Sequence, residues 1–282
     1  MSGIEHYENF PVASWLCPSE LRPAIVALYH FARTADDLAD EGDATPEQRL
    51  KDLAEFRADL NQALNPETSG SANSMRWPHV FAALARVAAQ HQLPHALLHD
   101  LLDAFEQDVA YTSVGKGYRD TAELLDYCRR SANPVGRLLL HLYGVHDTTS
   151  LTQSDAICTA LQLINFWQDV AIDWRKGRIY LPQDEMARFG VTETTIATSN
   201  NNAAWQALMQ FQVDRTRALL NSGAALGSRL EGRIGFELRM IIQGGLCILH
   251  KIETVQYDVF YHRPTLRAAD WVRIFWRALL NR

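Results

Sequence analysis

A helix that is apolar on most sides but carries one row of amides and carboxylates is poorly suited to a protein surface. It is enclosed, with something polar in front of the row. The stretch from Leu161 to Pro182, LQLINFWQDVAIDWRKGRIYLP, has this character. Gln162, Asn165, Asp169 and Asp173 are separated by three, four and four residues and fall on one stripe. Leu161, Leu163, Ile164, Phe166, Trp167, Val170, Ala171 and Ile172 take the other sides, and no further charge appears before Arg175. This segment calls for a helical protein built around an internal polar cavity.

The remaining chain agrees. Proline and glycine are sparse, and the intervals between them carry helical periodicity. Pro18-Ser19 opens a helix to about Glu41, and Thr45-Pro46-Glu47-Gln48 opens a second through a capping box. Further tracts are expected at 77–91, 94–112, 119–143, 152–174, 202–227, 231–254 and 266–281, with loops at 65–73 and 191–202. No β alternation, internal repeat or long linker interrupts them, so residues 1–282 read as one all-α domain. A net charge of −6 without a basic block argues against a nucleic-acid binder. Cys17, Cys128, Cys158 and Cys247 form no CxxC pair and read as reduced thiols of a cytoplasmic protein.

A second acidic stripe lies near the start of the chain, in RTADDLAD. Arg33, Asp36, Asp37 and Asp40 share about one third of a helical circumference. Alone, this stripe is equally compatible with a solvated acidic face. Together with Asp169 and Asp173 it suggests two walls that hold Mg²⁺, which takes carboxylate and water oxygens and is completed by substrate phosphate. Arg33 and Arg178 are placed to hold a diphosphate through their guanidinium forks, with Gln162 and Asn165 supplying neutral hydrogen bonds. A competing row, His91, His95, His99 and Asp103, has the spacing of a metal stripe, but Pro94 separates His91 from the others; the pair His99-Asp100 suits a metal phosphohydrolase, a reading that leaves Asp169 and Asp173 unexplained.

The pieces YHFARTADDLAD, LLDYCRRSANPVGRLLLHLYG, LQLINFWQDVAIDWRKGRIYLP and YDVF, in this order, resemble the squalene/phytoene synthase family of head-to-head prenyl-diphosphate coupling enzymes. The resemblance implies an isoprenoid synthase fold, a helical bundle around a central active-site cavity. It assigns Mg²⁺ to Asp36, Asp40, Asp169 and Asp173 with Asp37 nearby, and diphosphate contacts to Arg33, Gln162, Asn165, Arg178 and Tyr257. Tyr127 matches a tyrosine that lines the reaction cavity. Two features depart from the family pattern: Gln168 replaces an arginine before Asp169, and HYENFPVAS replaces a serine-rich diphosphate-binding signature; both changes remove groups that the resemblance implies help to hold diphosphate. These strings look most like the bacterial hydroxysqualene synthase branch of hopanoid synthesis.

That branch ionises presqualene diphosphate, received from a sister enzyme, and adds water to the cation. Phe10, Tyr29, Phe105, Tyr111, Tyr127, Phe166 and Trp167 are candidate walls for the cation, since aromatic faces stabilise positive charge in a dry site. Two alternatives remain at this point: a full synthase acting on farnesyl diphosphate, and a non-catalytic prenyl-lipid-binding protein. The intact acidic pairs favour catalysis. Asp103 and Asp108 border the cavity or, for at least one of them, face solvent. Finally, LRAADWVRIFWRALLNR sets four arginines among Trp271, Phe275 and Trp276, a pattern suited to the inner face of a membrane or to packing on neighbouring helices.

Overall fold

Prolines and short polar caps decide where the helices begin. The computed structural model describes residues 17–65, 74 and 76–280. Pro18 closes a turn through its carbonyl, which accepts from the Leu21 and Arg22 amides, so α1 (Arg22–Asp40) starts later than Pro18. Thr45 accepts from the Gln48 amide and Pro46 opens α2 (Pro46–Leu64), as expected, but the Gln48 side chain donates to Asp52 at 2.9 Å rather than closing a capping box. Next come α3 (Pro78–His91) and α4 (His95–Ser113). His91 and His95 belong to different helices, which breaks the histidine row.

The tract expected at 119–143 is two helices, α5 (Thr121–Ser131) and α6 (Asn133–Leu142). Pro134 has no N–H to continue the ladder from α5, so the chain restarts there. The longest helix, α7 (Thr148–Arg175), is capped by Asp147, which accepts from the Ser150 amide at 3.0 Å. Two short helices, α8 (Gln183–Phe189) and α9 (Glu193–Ala197), occupy a stretch whose second half was expected as loop. The reciprocal Thr192/Thr195 capping box explains α9. α10 (Ala203–Gly223), α11 (Leu226–Arg229), α12 (Gly232–Thr254) and α13 (Ala268–Leu280) follow, and no strand occurs among the described residues.

The helices pack into two hydrophobic clusters. α1, α2 and α3 bury Phe31, Phe56 and Phe81 in one, while α7, α10 and α12 bury Trp167, Leu208, Met209 and Ile248 in the other. α4 and α6 send residues into both, Leu102 and Leu138 into the first and Ala104 and Leu140 into the second. The contact of α6 with α7 is close. A Cβ on Gly136 would lie 2.4 Å from Ser154 Oγ and 2.5 Å from Cys158 Sγ, so only glycine fits. The four cysteines are free thiols, three of them buried.

An ion pair with a buried carboxylate fixes the segment between α7 and α8. Glu185 pairs with Arg215 and also accepts from Thr121 Oγ1 (2.7 Å) and Gln212 Nε2 (2.6 Å), joining α8 to α5 and α10. Removing Arg215 costs up to roughly 3 kcal/mol, because the Glu185 carboxylate stays buried without its cation. The Gln183 and Asp184 amides donate to the Tyr118 and Arg119 carbonyls, so Arg178–Pro182 is held beside the start of α5.

Candidate active site

The end of α7 determines where its charges point. Gly177 takes a left-handed conformation (φ 75°), and the Arg178 amide reaches back to the Asp173 carbonyl at 2.8 Å. This helix-ending turn places Arg178 beside Asp173. Arg178 then spans to α1 and α4: it pairs with Asp40 at 2.7 Å and donates from Nε to Thr112 Oγ1 at 3.1 Å. Lys176 also pairs with Asp40. Two acidic rows, one from each hydrophobic cluster, are thus stitched together by cations that follow Asp173.

On the α1 side, Arg33 is committed to its own helix, bonding Asp36 at 2.9 Å and Asp37 at 2.6 Å. On the α7 side, Asp169 is paired with Arg263, whose Nη2 lies 3.0 Å from Oδ2. Gln162 is half-buried and Asn165 is exposed. Gln168 is buried and donates to the Pro264 carbonyl, so it is turned away from the row and holds the segment that carries Arg263.

Electrostatics divides the carboxylates. Asp173 is raised to about 7, first by burial and then by Asp169, against the pull of Arg178 and Lys176. Asp36 is partly exposed; burial raises it to about 6, with Arg33 opposing and Asp40 and Asp37 adding to the rise. For Asp40, burial is outweighed by Lys176 and Arg178, and its pKa falls below the usual range.

Next to this seam is a closely packed, buried aromatic cluster, the wall of a narrow chamber. Phe166 and Tyr180 stack at 3.7 Å with planes 7° apart, and Tyr127 lies 6.2 Å from Phe166 and 5.5 Å from Tyr118. Phe166, Val170, Asp173, Arg178, Ile179, Tyr180, Leu181 and Ile196 line a pocket where the seam meets the chamber. Asp108 of α4 accepts from the Tyr127 and Tyr180 hydroxyls. Asp103, by contrast, is exposed and pairs with Arg57.

The structure therefore brings together Asp36, Asp40, Asp173, Arg178, Phe166 and Tyr127. Tyr257 lies elsewhere, near Glu253, Asp214 and Arg217, none of which belongs to an acidic row. Trp167 is fully buried and donates to Thr216 on α10, so it is core rather than chamber wall. Tyr111 is tied to Glu123 and Lys116, and Phe105 packs on the α1–α3 cluster. Tyr29 is half-buried beside His30. Phe10 lies outside the described residues. Sequence reasoning missed Lys176, Tyr118, Tyr180 and Arg263. It left Asp108 undecided, although that residue falls seven after Leu101 and four after Ala104, on the buried stripe of α4.

The squalene/phytoene synthase family model matches residues 5–270. The chain belongs to the squalene/phytoene synthase family. It is 36% identical to the hydroxysqualene synthase of Zymomonas mobilis, over 86% of this chain and 77% of that protein. Identity is also 36% with the hydroxysqualene synthase of Rhodopseudomonas palustris, over 96% of this chain and 88% of the relative. The crystal structure of squalene synthase HpnC from Alicyclobacillus acidocaldarius superposes with a TM-score of 0.79 at 35% identity, covering 89% and 90% of the two chains.

Among the described residues, no three histidine, cysteine or acidic side chains converge on one point as a metal cage would. Paired carboxylates in facing rows, two of them raised by burial and like charge, are nonetheless a donor set that fits Mg²⁺. That ion is usually held by one or two carboxylates and completed by waters and substrate phosphate.

The raised acids make a stability prediction. A carboxylate whose folded pKa exceeds its unfolded value binds protons more readily when folded, so its contribution declines as pH rises through the interval between the two values. For Asp36, Asp108 and Asp173 that interval runs from 3.8 to about 6, 6 and 7. Depressed acids such as Asp40 and Glu185 lose their stabilisation only at lower pH, and among the described histidines His99, lowered by burial and by Arg57, opposes the trend. In EDTA the protein is expected to melt at least about 3 °C higher at pH 5.5 than at pH 8, the shift of roughly 1 kcal/mol for a chain of this size. Calorimetry at the two pH values checks this, and equal or reversed melting temperatures contradict it.

Proposed function

We propose that this chain is a hydroxysqualene synthase. It ionises presqualene diphosphate, lets the cyclopropylcarbinyl cation rearrange, and captures it with water to give hydroxysqualene and diphosphate. The observation that carries this reading is the adjacency of the Asp40–Arg178–Asp173 seam and the Phe166/Tyr180/Tyr127 chamber, in a chain 36% identical to relatives named hydroxysqualene synthase.

Asp36, Asp40, Asp169 and Asp173 are the residues that would hold Mg²⁺, with Asp37 beside them. Bound there, the ion supplies positive charge that stabilises the departing diphosphate. Arg178 and Lys176 point into the same seam and complement the charge that develops on the leaving oxygen. Arg33 is held at the edge of the row by Asp36 and Asp37, while Gln162 and Asn165 offer neutral contacts. Phe166, Tyr180, Tyr118 and Tyr127 present faces to the cation and lack a strong nucleophile that would trap it.

Purified protein given Mg²⁺ and presqualene diphosphate, without NADPH, is expected to yield hydroxysqualene by mass spectrometry. Farnesyl diphosphate alone is expected to remain uncoupled, because the substrate comes from a separate presqualene diphosphate synthase. Efficient coupling of farnesyl diphosphate would make the full synthase the better reading.

Membrane contact is part of the same proposal. α13 buries Asp270, Ile274 and Ala278, yet exposes Val272, Phe275, Trp276, Leu279 and Leu280 beside Arg273 and Arg277. Asp270 is paired with Lys251, so the outward face carries only positive charge. Such a face suits an anionic bilayer surface; no described helix is long and apolar enough to cross a membrane. The protein is expected to sediment with phosphatidylglycerol vesicles but not phosphatidylcholine vesicles, and Phe275→Ser with Trp276→Ser should abolish this. Undiminished pelleting of the double variant would refute the assigned surface.

A further inference from the structure

Asp108 has an unusual set of neighbours. It rises from the apolar stripe of α4, next to buried Leu101, Ala104 and Val109, and is itself half-buried, with both oxygens turned to tyrosine hydroxyls of the aromatic chamber. One oxygen accepts from the Tyr127 hydroxyl, the other from the Tyr180 hydroxyl at 3.4 Å. Among the described residues it forms no ion pair. The nearby guanidinium, Arg178, is already engaged by Asp40 and Thr112. A carboxylate without a paired cation is costly to keep among Phe166, Tyr118, Tyr127 and Tyr180, and structural need alone does not account for it.

Its place in the chamber suggests a use. We propose that Asp108 is the terminal proton acceptor of the water-capture step, working through the Tyr127 hydroxyl. This rests on the function proposed above. A lone pair of water forms the new C–O bond to the cation and gives a protonated alcohol. That oxygen passes one proton to the Tyr127 oxygen while the Tyr127 O–H proton moves to Asp108. The products are the neutral alcohol and a neutral Asp108 carboxyl, which returns its proton to solvent when the site opens. Presqualene diphosphate and water thus become hydroxysqualene, diphosphate and one proton, with no oxidant or reductant.

The arrangement also bears on product choice. A cation beside an oriented water and a ready acceptor is converted to alcohol; without the acceptor, the protonated alcohol reverts and the cation loses a proton from carbon instead. Burial, the first cause, lifts the Asp108 acid to about 6 against Tyr127, Arg178 and Tyr180, with Asp36 adding to the rise. At neutral pH the group is therefore mostly an acceptor, and a stronger one than an exposed aspartate.

The test measures two quantities from one reaction: diphosphate released and hydroxysqualene formed. In Asp108→Asn, alcohol formation is expected to fall about 100-fold, the usual value of a general base, while diphosphate release falls far less and hydrocarbons appear. Tyr127→Phe should show the same change in ratio. In the wild-type protein the alcohol-to-diphosphate ratio should decline below a pH of about 6, the value to which Asp108 is raised; in Asp108→Asn it should be flat. Taking the ratio removes the titration of Asp36, Asp173 and the cations, which affects ionisation itself. Circular dichroism melting confirms that the variants are folded.

An unchanged ratio in Asp108→Asn overturns the role. So does a parallel loss of both products in a folded variant, which would assign Asp108 to ionisation. A wild-type protein that forms no hydroxysqualene would instead overturn the underlying function.

Discussion

Asp173→Asn is expected to lower diphosphate release from presqualene diphosphate by at least about 1,000-fold, the scale of losing an electrostatic group that acts in the transition state. The same substitution should make the metal-free protein more stable at pH 8. Asp173 is half-buried beside Asp169 and is raised to about 7, first by burial and then by that neighbour, so its ionised form is unfavourable without a bound cation. A neutral amide of the same shape removes that repulsion. Few core or surface changes both abolish activity and raise the melting temperature; the combination identifies a residue kept for function at a cost in stability. Steady-state release of diphosphate and a melting curve in EDTA, from the same preparation, measure both effects. Near-wild-type turnover, or a lower melting temperature at pH 8, would contradict the assignment. Asp40→Asn should be equally inactive but less stable, because it weakens the pairs to Lys176 and Arg178 that join α1 to the end of α7.

Arg178→Met is the second large effect. Arg178 is the cation shared by Asp40, Thr112 and the Asp173 turn, and its charge is reinforced by Tyr180, Asp108 and Asp40 against burial. Its removal leaves Asp36, Asp108 and Asp173 facing one another with Lys176 as the remaining cation of the seam. A loss of about 100-fold in kcat/KM is expected, chiefly in kcat, because the charge on diphosphate is greatest in the transition state. Arg178→Lys keeps the charge but cannot bridge Asp40 and Thr112 together, so only part of the loss should be recovered. Kinetics of the two variants decide the point. Full activity of Arg178→Met would remove the guanidinium from the site.

The residues that could be read from sequence are those whose spacing within one helix reports their setting. Gln162, Asn165, Asp169 and Asp173 stand on one stripe of an otherwise apolar helix; α7 half-buries Gln162, Asp169 and Asp173 but leaves Asn165 exposed. The partners of these acids were not readable, because they come from remote parts of the chain. Lys176 meets Asp40 across 136 residues and Arg263 meets Asp169 across 94. No local period encodes such pairs. Gln168 shows the limit of reading by substitution. Its replacement of an arginine suggested a lost diphosphate contact, whereas the side chain is buried and anchors Pro264, next to Arg263.

Asp108 illustrates a different failure. Its position on the apolar stripe was visible, but at least one of the two aspartates in LLDAFEQDVAY was expected to face solvent, and only the tertiary arrangement shows that Asp108 is held by the Tyr127 and Tyr180 hydroxyls. The division of 119–143 follows from Pro134, whose missing amide proton was given too little weight. The family resemblance identified Tyr257 as a diphosphate contact, and its neighbours Glu253, Asp214 and Arg217 put it beside a different set of charges.

The central claim is that two carboxylate rows and a metal ion take hold of one diphosphate jointly, neither ligand binding well without the other. Isothermal titration of the protein with inorganic diphosphate, in Mg²⁺ and in EDTA, measures that coupling, which by linkage must appear equally in the Mg²⁺ titration. The account predicts tight binding of diphosphate only with Mg²⁺ present and a coupling of at least about tenfold, or 1.4 kcal/mol, that disappears in Asp173→Asn. Equal affinity for diphosphate in Mg²⁺ and in EDTA, or coupling that survives in Asp173→Asn and Asp40→Asn alike, would contradict it.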